Sequence, residues 1–128
     1  MPKYLTQPWL DESRELAKDQ PDRPGASATI QYVVSGGPDG DVEYYWVLED
    51  GKLLEAQLGE IASAQITLTL PYAVSVEVQQ GELDANVAFM QGRMKAAGDM
   101  GKLMQLLPLT TSPEYKALQE KIRAITQY

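Results

Sequence analysis

The chain has 128 residues, a formal net charge of −7, and neither cysteine nor histidine. That length suits a single domain over residues 1–128 with a real core. The missing residue types remove disulfides, thiol chemistry, the usual general base near neutral pH and most zinc or iron ligands.

Charge is unevenly placed: residues 1–90 hold 15 acidic and 5 basic side chains, residues 91–128 hold 3 and 6. The acidic bulk argues against nucleic acid as a partner, because phosphate neutralisation needs a field of lysine and arginine. The mildly basic C-terminal third is open to two readings, a solvated face of mixed charge or a surface for an anionic headgroup. No apolar run approaches the length of a membrane span, so no integral membrane segment is expected. The N-terminal run MPKYLTQPWLDES lacks the basic-then-apolar pattern of a secretory signal, and Ala124–Tyr128 is not a peroxisomal address. Without cysteine, a cytoplasmic setting is the expectation.

In chain order, Thr6 to Lys18 reads as a helix, with Pro8 tolerated in its first turn. Trp9, Leu10, Ser13, Leu16 and Ala17 share one face of it. Gln20–Gly25 breaks the pattern and serves as a short connector. Three strands then follow by alternation. Ala28–Ser35 carries Ile30, Tyr32 and Val34; Val42–Leu48 carries Val42, Tyr44, Trp46 and Leu48; Lys52–Leu58 carries Leu54, Ala56 and Leu58 inward. Gly36–Gly40 and Asp50-Gly51 supply hairpin turns, so these strands form an antiparallel meander with one apolar face for helices to cover.

Gln65–Leu70 sets Ile66, Leu68 and Leu70 against Thr67 and Thr69, the clearest strand in the chain, and Pro71 ends it. Tyr72–Gln80 alternates Val74, Val76 and Val78, a local pattern of a strand. Asp84 caps a short turn through Phe89. The stretch Phe89–Pro108 holds four of the five methionines. Within it, Arg93–Ala97 alternates as a short strand with Met94 and Ala96 on one face. Gly98-Asp99 then turns, and Asp99 caps a helix from Met100 that Pro108 stops. Met100, Leu103, Met104 and Leu107 form its apolar stripe. A methionine-rich wall adapts to irregular contents, although composition alone is met more simply by an ordinary core edge. After Pro108, Thr111–Glu114 opens a last helix whose stripe is Tyr115, Leu118, Ile122 and Ile125.

None of these elements carries catalytic chemistry. No serine sits in a Gly-x-Ser-x-Gly elbow, and Gly36–Gly40 lacks the Gly-Lys-Ser/Thr of a phosphate loop. Asp39 and Asp41 are read more simply as solvated turn carboxylates than as a cation site. Glu43, Glu55 and Glu77 are outward residues of their faces. The expectation is a protein that is not an enzyme and has no cofactor and no metal.

The run Phe89-Met-Gln-Gly-Arg-Met-Lys-Ala-Ala-Gly-Asp-Met100 resembles the signature of the sterol carrier protein type-two, or non-specific lipid-transfer, family. Ile66-Thr-Leu-Thr-Leu70 followed by Gly81-Glu-Leu-Asp-Ala85 is similar to the spacing that precedes it there. The resemblance spans roughly residues 9–108 and implies an α+β fold: a five-stranded mixed, mainly antiparallel sheet, with helices over one face enclosing an apolar cavity. It also implies a helix over Tyr72–Gln80, closed by Gly81, in place of the strand. Tyr32, Tyr44, Trp46, Leu68, Leu70, Met90, Met94, Met100, Leu103, Met104 and Leu107 would line the cavity.

The implied function is non-enzymatic binding or transfer of a lipid (fatty acid, fatty acyl-CoA, sterol or phospholipid), with transient membrane contact. The alternative is a structural or interaction module that keeps the fold and has no functional ligand. An empty cavity of about 300 Å³, at roughly 24 cal/mol per Å³, would cost about 7 kcal/mol, a large share of a typical domain's stability. Such a space is therefore expected to be filled, wetted or partly collapsed.

Overall fold

The computed structural model of the protein describes residues 2–20, 24–38, 40–110 and 112–127, without the side chains of Asp19, Ala85 and residues 107–110. Helix α1 spans Gln7–Leu16, and the Thr6 hydroxyl caps it by accepting from Trp9 N at 3.5 Å. A 3₁₀ turn, Ala17–Asp19, ends it. The predicted face is the one that packs: Trp9, Leu10, Ser13 and Ala17 are all buried.

The sheet forms as alternation and turn chemistry require. Strands β1 (Ala28–Gly37), β2 (Gly40–Glu49) and β3 (Lys52–Leu58) make the antiparallel meander, with Tyr32 opposite Tyr44 and Ile30 opposite Trp46. Asp50 and Gly51 both take positive φ, 50° and 85°, as a two-residue hairpin turn with matching twist demands. Strand β4 (Ile66–Pro71) runs parallel to β1, and β5 (Lys95–Gly98) runs antiparallel to β4, giving the order β3-β2-β1-β4-β5. The sheet is thus mixed and mainly antiparallel, within an α+β fold.

One strand is out of phase with expectation. The β2–β3 register shifts between Val47 and Leu48, so that Leu48 pairs with Leu53 while Trp46 still pairs with Ala56. This bulge inserts one residue and reverses the alternation on the turn side of it. Leu53 therefore packs against the core and Leu54 is exposed, and Leu58 is exposed at the edge.

Getting from edge strand β3 to β4 requires crossing β2 and β1, and Gln31 holds that crossing. Its side chain points away from the Ile30/Tyr32 face, yet it is buried. Gln31 Nε2 donates to the carbonyls of Tyr44 and Gly59, both at 3.0 Å, while Oε1 accepts from Ile61 N at 2.8 Å. One amide thereby ties the crossing loop to the outer face of the sheet.

Helices close the other face. Tyr72–Gln79 is helix α2, as the resemblance implied and against the local alternation. Gly81, at φ 77°, terminates it, and Glu82 N closes back on the Glu77 carbonyl at 2.9 Å. Packing of Val74, Val76 and Val78 into the core overrides their β propensity. Helix α3 (Ala85–Met90) starts at Asp84, whose carboxylate accepts from Asn86 N at 2.7 Å. Helix α4 (Met100–Thr110) starts at Asp99, which accepts from Lys102 N at 3.0 Å. Pro108 does not stop α4. The missing N–H removes one helical hydrogen bond near the end, and the helix runs two residues further.

Helix α5 (Pro113–Ile125) is capped by the Ser112 hydroxyl, which accepts from Tyr115 N at 3.2 Å. Its far end is firmly tied. Gln127 forms a parallel bridge with Lys3, Tyr4 N donates to the Gln127 carbonyl at 2.8 Å, and Trp9 Nε1 donates to Thr126 Oγ1 at 2.9 Å.

Candidate functional site

The interior divides into two apolar clusters. The larger joins α1, α2 and α5 to the sheet; the smaller gathers Ala26, Ala28, Ile30, Ile66 and Leu106 under α4. Tyr32 and Leu68 pack against both. At the seam lies a cavity of about 50 Å³. Its sheet wall is Ile30, Tyr32, Trp46, Leu48 and Leu53, with Gly51 at the turn. The opposite wall comes from Ser13 and Ala17 with Gln20 beyond them, from Leu106 of α4, and from Tyr115, Leu118 and Ile122 of α5.

The sheet wall is held rigid by aromatic contacts. Tyr32 stacks on Tyr44 with ring centroids 4.6 Å apart and planes 6° from parallel, and meets Trp46 edge-on at 5.4 Å. The chain of rings continues through Trp9, at 6.1 Å from Tyr44, to Tyr4 and Tyr72. Such separations are those at which aromatic pairs attract beyond their burial alone.

The space is uncharged and mainly apolar, with a few polar atoms in its wall. None of the described lining residues is ionised at neutral pH. Burial raises the Tyr115 hydroxyl to about 12 and raises Tyr32 further, with Tyr115 and Tyr4 nearby adding to the shift in Tyr32. Tyr44, beneath Tyr32, is also held well above its ordinary value by burial. Ser13 donates to the Trp9 carbonyl at 2.8 Å and so spends its proton inside its own helix.

Of the residues expected at this site, Tyr32 and Trp46 line the cavity. Tyr44 lies behind Tyr32, Leu68 packs at the seam, and Leu70 and Met94 are buried in the larger cluster. Leu103 is half-buried against the smaller one. Met90, Met100 and Met104 are exposed, Met90 at 84% and Met104 at 64%. Leu107 lies outside the described side chains. The face α4 turns inward is Leu103 and Leu106 instead of Met100 and Met104. Apolar residues surround this helix, so periodicity alone did not choose the face.

Ile30, Leu48 and the α5 stripe were legible as inward residues, and the sequence left three uses of that stripe open: a lid over the ligand space, a helix packed on the sheet, or a dimer contact. Leu53 was hidden by the bulge and Gln20 by its loop. Arg93 and Lys95 border a separate open groove of about 410 Å³ floored by Leu70 and Val74. Arg93 is engaged there by Glu77 at 3.0 Å.

Asp41 accepts from Gly36 N at 2.9 Å and so stabilises the β1–β2 turn; Asp39 lies outside the described residues. Among the described residues there is no carboxylate cluster able to hold a metal ion, and no helix is long and apolar enough to cross a membrane.

The chain matches the family model of the SCP-2 sterol transfer family over residues 10–111. Among solved structures it is similar to a conserved hypothetical protein of Thermus thermophilus proposed to be a sterol carrier protein. That pair has 20% identity and a TM-score of 0.74, covering 98% of this chain and 92% of that one. A crystal structure of sterol carrier protein 2 gives 17% identity and a TM-score of 0.72, covering 98% and 100%. A palmitated sterol carrier protein 2-like protein of Aedes aegypti gives 16% identity and a TM-score of 0.61, covering 82% and 89%. A comparison with curated proteins finds no match.

Proposed function

This chain belongs to the SCP-2 sterol transfer family, and from that premise we propose that it binds and carries a single lipid, without catalysis, in the space between its sheet and its helices. The observation that carries this reading is the apolar seam between two packed clusters, walled by Tyr32 and Trp46 on one side and Leu118 and Ile122 on the other. Burial of about ten methylenes there would supply ~8 kcal/mol of gross transfer energy, offset by ordering and association costs. That energy is non-directional, so chain length is tolerated broadly.

A cavity of about 50 Å³ holds a few water-sized volumes and no acyl chain. At roughly 24 cal/mol per Å³ its cost is about 1 kcal/mol, small against a typical domain's stability. Loading an acyl chain requires the walls to separate, and α5, a single helix packed over the sheet, is the wall proposed to move. The same small volume favours a second reading, an interaction module with no functional ligand. Solvent extraction and native mass spectrometry of freshly purified protein decide between them. A bound acyl chain or sterol mass supports carriage. A lipid-free protein that also ignores fatty acid, alcohol and phospholipid overturns it.

A further inference from the structure

The wall of the seam cavity contains a hydrogen-bond donor with no acceptor among the described residues. Trp46 is 9% exposed, its indole Nε1–H is buried, and it has no partner among the described residues. The other tryptophan shows what a satisfied indole looks like here, with Trp9 Nε1 donating to Thr126 Oγ1 at 2.9 Å. On the helical side of the same cavity, Gln20 Oε1 is also buried and finds no partner among the described residues, while its Nε2 is committed to the Glu114 carbonyl at 3.2 Å. Buried donors and acceptors are nearly always paired, so an orphan of each kind on one cavity implies an occupant that completes them.

The charge of that occupant follows from the rest of the wall. An ionised carboxylate or phosphate would leave water for a site whose described lining holds no cation. A hydroxyl carries no such penalty, and it both accepts and donates.

We propose that the cavity takes lipids by an uncharged hydroxyl, that of a long-chain alcohol or a lipid with an equivalent end, with Trp46 Nε1–H donating to its oxygen and Gln20 Oε1 accepting its proton. Trp46 and Gln20 are then specificity residues, and a lipid with an ionised end enters tail-first and leaves its head at the mouth. This rests on the lipid-binding reading above.

The test uses the full chain, the neutral dye N-phenyl-1-naphthylamine as reporter, and displacement by decan-1-ol or by decanoate at mildly alkaline pH. Trp46→Phe keeps an aromatic ring and removes the donor. The lost ring volume weakens every occupant of the cavity, so the reading is the difference: decan-1-ol should lose roughly five- to tenfold more affinity than the dye or decanoate does, the worth of one neutral hydrogen bond. Gln20→Leu should produce a smaller loss in the same direction.

Should Trp46→Phe fold poorly, the wild-type protein still answers. The Trp46 indole ¹⁵N–¹H resonance should shift on saturation with decan-1-ol, while that of Trp9 stays in place. If dye and both lipids bind but decan-1-ol neither moves the resonance nor loses more affinity in the variant than the dye does, the hydroxyl assignment is wrong and lipid carriage stands. If neither dye nor lipid binds, both fall.

Discussion

Two regions of similar apolar content behave differently. The wall built from α1, β1, β2 and α5 buries nearly all its large side chains: Trp9 and Leu10 are at 1% and 0% exposure, and both chain ends are tied together beside Trp9. The arm from α3 through β5 to α4 carries four methionines and a phenylalanine, yet leaves Val87, Phe89, Met90, Met100 and Met104 exposed. The difference lies in neighbours. Strand β1 has β2 on one side and β4 on the other, with helices above, while β5 is four residues long and pairs only with β4. Burial depends on how many elements an apolar face meets, and local stability follows it.

The wall should be the part that alkali breaks, and this is the largest effect expected. Tyr32, Tyr44 and Tyr115 are raised above their ordinary 10.0 by burial, Tyr115 to about 12. Above pH 10 the unfolded chain gives up these protons first, so the folded state binds more of them and stability falls as pH rises. The stabilisation is complete below that value and is lost as pH climbs through the folded values. Each such tyrosine removes about 1.4 kcal/mol per pH unit, and three together approach the whole of a typical domain's stability within about two units. Tyrosinate absorbance and circular dichroism should change in one shared step. A gradual rise in absorbance with intact ellipticity would mean the wall is looser than its packing indicates.

A paired truncation sharpens the contrast inside one helix. Leu106 is 3% exposed against Ala28, Ile30 and Ile66, whereas Met104, two residues earlier, faces solvent. Leu106→Ala should cost about 2–5 kcal/mol in urea unfolding and Met104→Ala less than about 0.5 kcal/mol. Equal costs would show that α4 sits in another rotation.

Next in size is the tie at the end of the chain. Thr126→Val keeps the shape and leaves the buried Trp9 indole without its acceptor, at a cost of about 1–3 kcal/mol. In the wild type, hydrogen exchange should grade along α5, fast near Ser112, where the first-turn N–H groups lack intrahelical acceptors, and slow towards Ile122, where the far end is bridged to the N-terminus. Lipid should slow the near end. Uniformly slow exchange without lipid would make α5 a fixed wall and not a lid hinged at one end.

Particular residues show how far the chain could be read without coordinates. Thr67 and Thr69 between Ile66, Leu68 and Leu70, the Asp50-Gly51 turn, and the caps at Asp84 and Asp99 act within a few residues, and each element they predict is present. Leu53 could not be told from Leu54, because the bulge exists only in the pairing with β2. The rotation of α4 was hidden because Leu103, Met104 and Leu106 are all apolar. Half of the cavity was legible by alternation, through Tyr32 and Trp46. The other half, Tyr115, Leu118 and Ile122, was visible as a stripe whose destination depends on how α5 returns over α1. Methionine content pointed to the arm as the lining, and packing sent most of those methionines outward.

The smallest expected effect concerns the cations of the arm. Arg93 pairs with Glu77 at 3.0 Å, but both side chains are about two-fifths exposed. Water and salt screen such a pair, and holding two long side chains in one geometry costs entropy, so Arg93→Gln should change stability by no more than about 1 kcal/mol. Arg93 and Lys95 border the open groove and do not line the seam cavity, and Lys102 projects from α4 without reaching the lining either. Replacing all three by Gln should therefore leave displacement of a neutral dye by decan-1-ol within about twofold of wild type. The same variant tests whether these side chains serve an anionic headgroup. If they do, it loses affinity for an acyl-CoA and that affinity becomes less sensitive to salt, while alcohol binding is untouched. If alcohol binding falls as well, the arm and the wall share one site, and the division drawn between them is wrong.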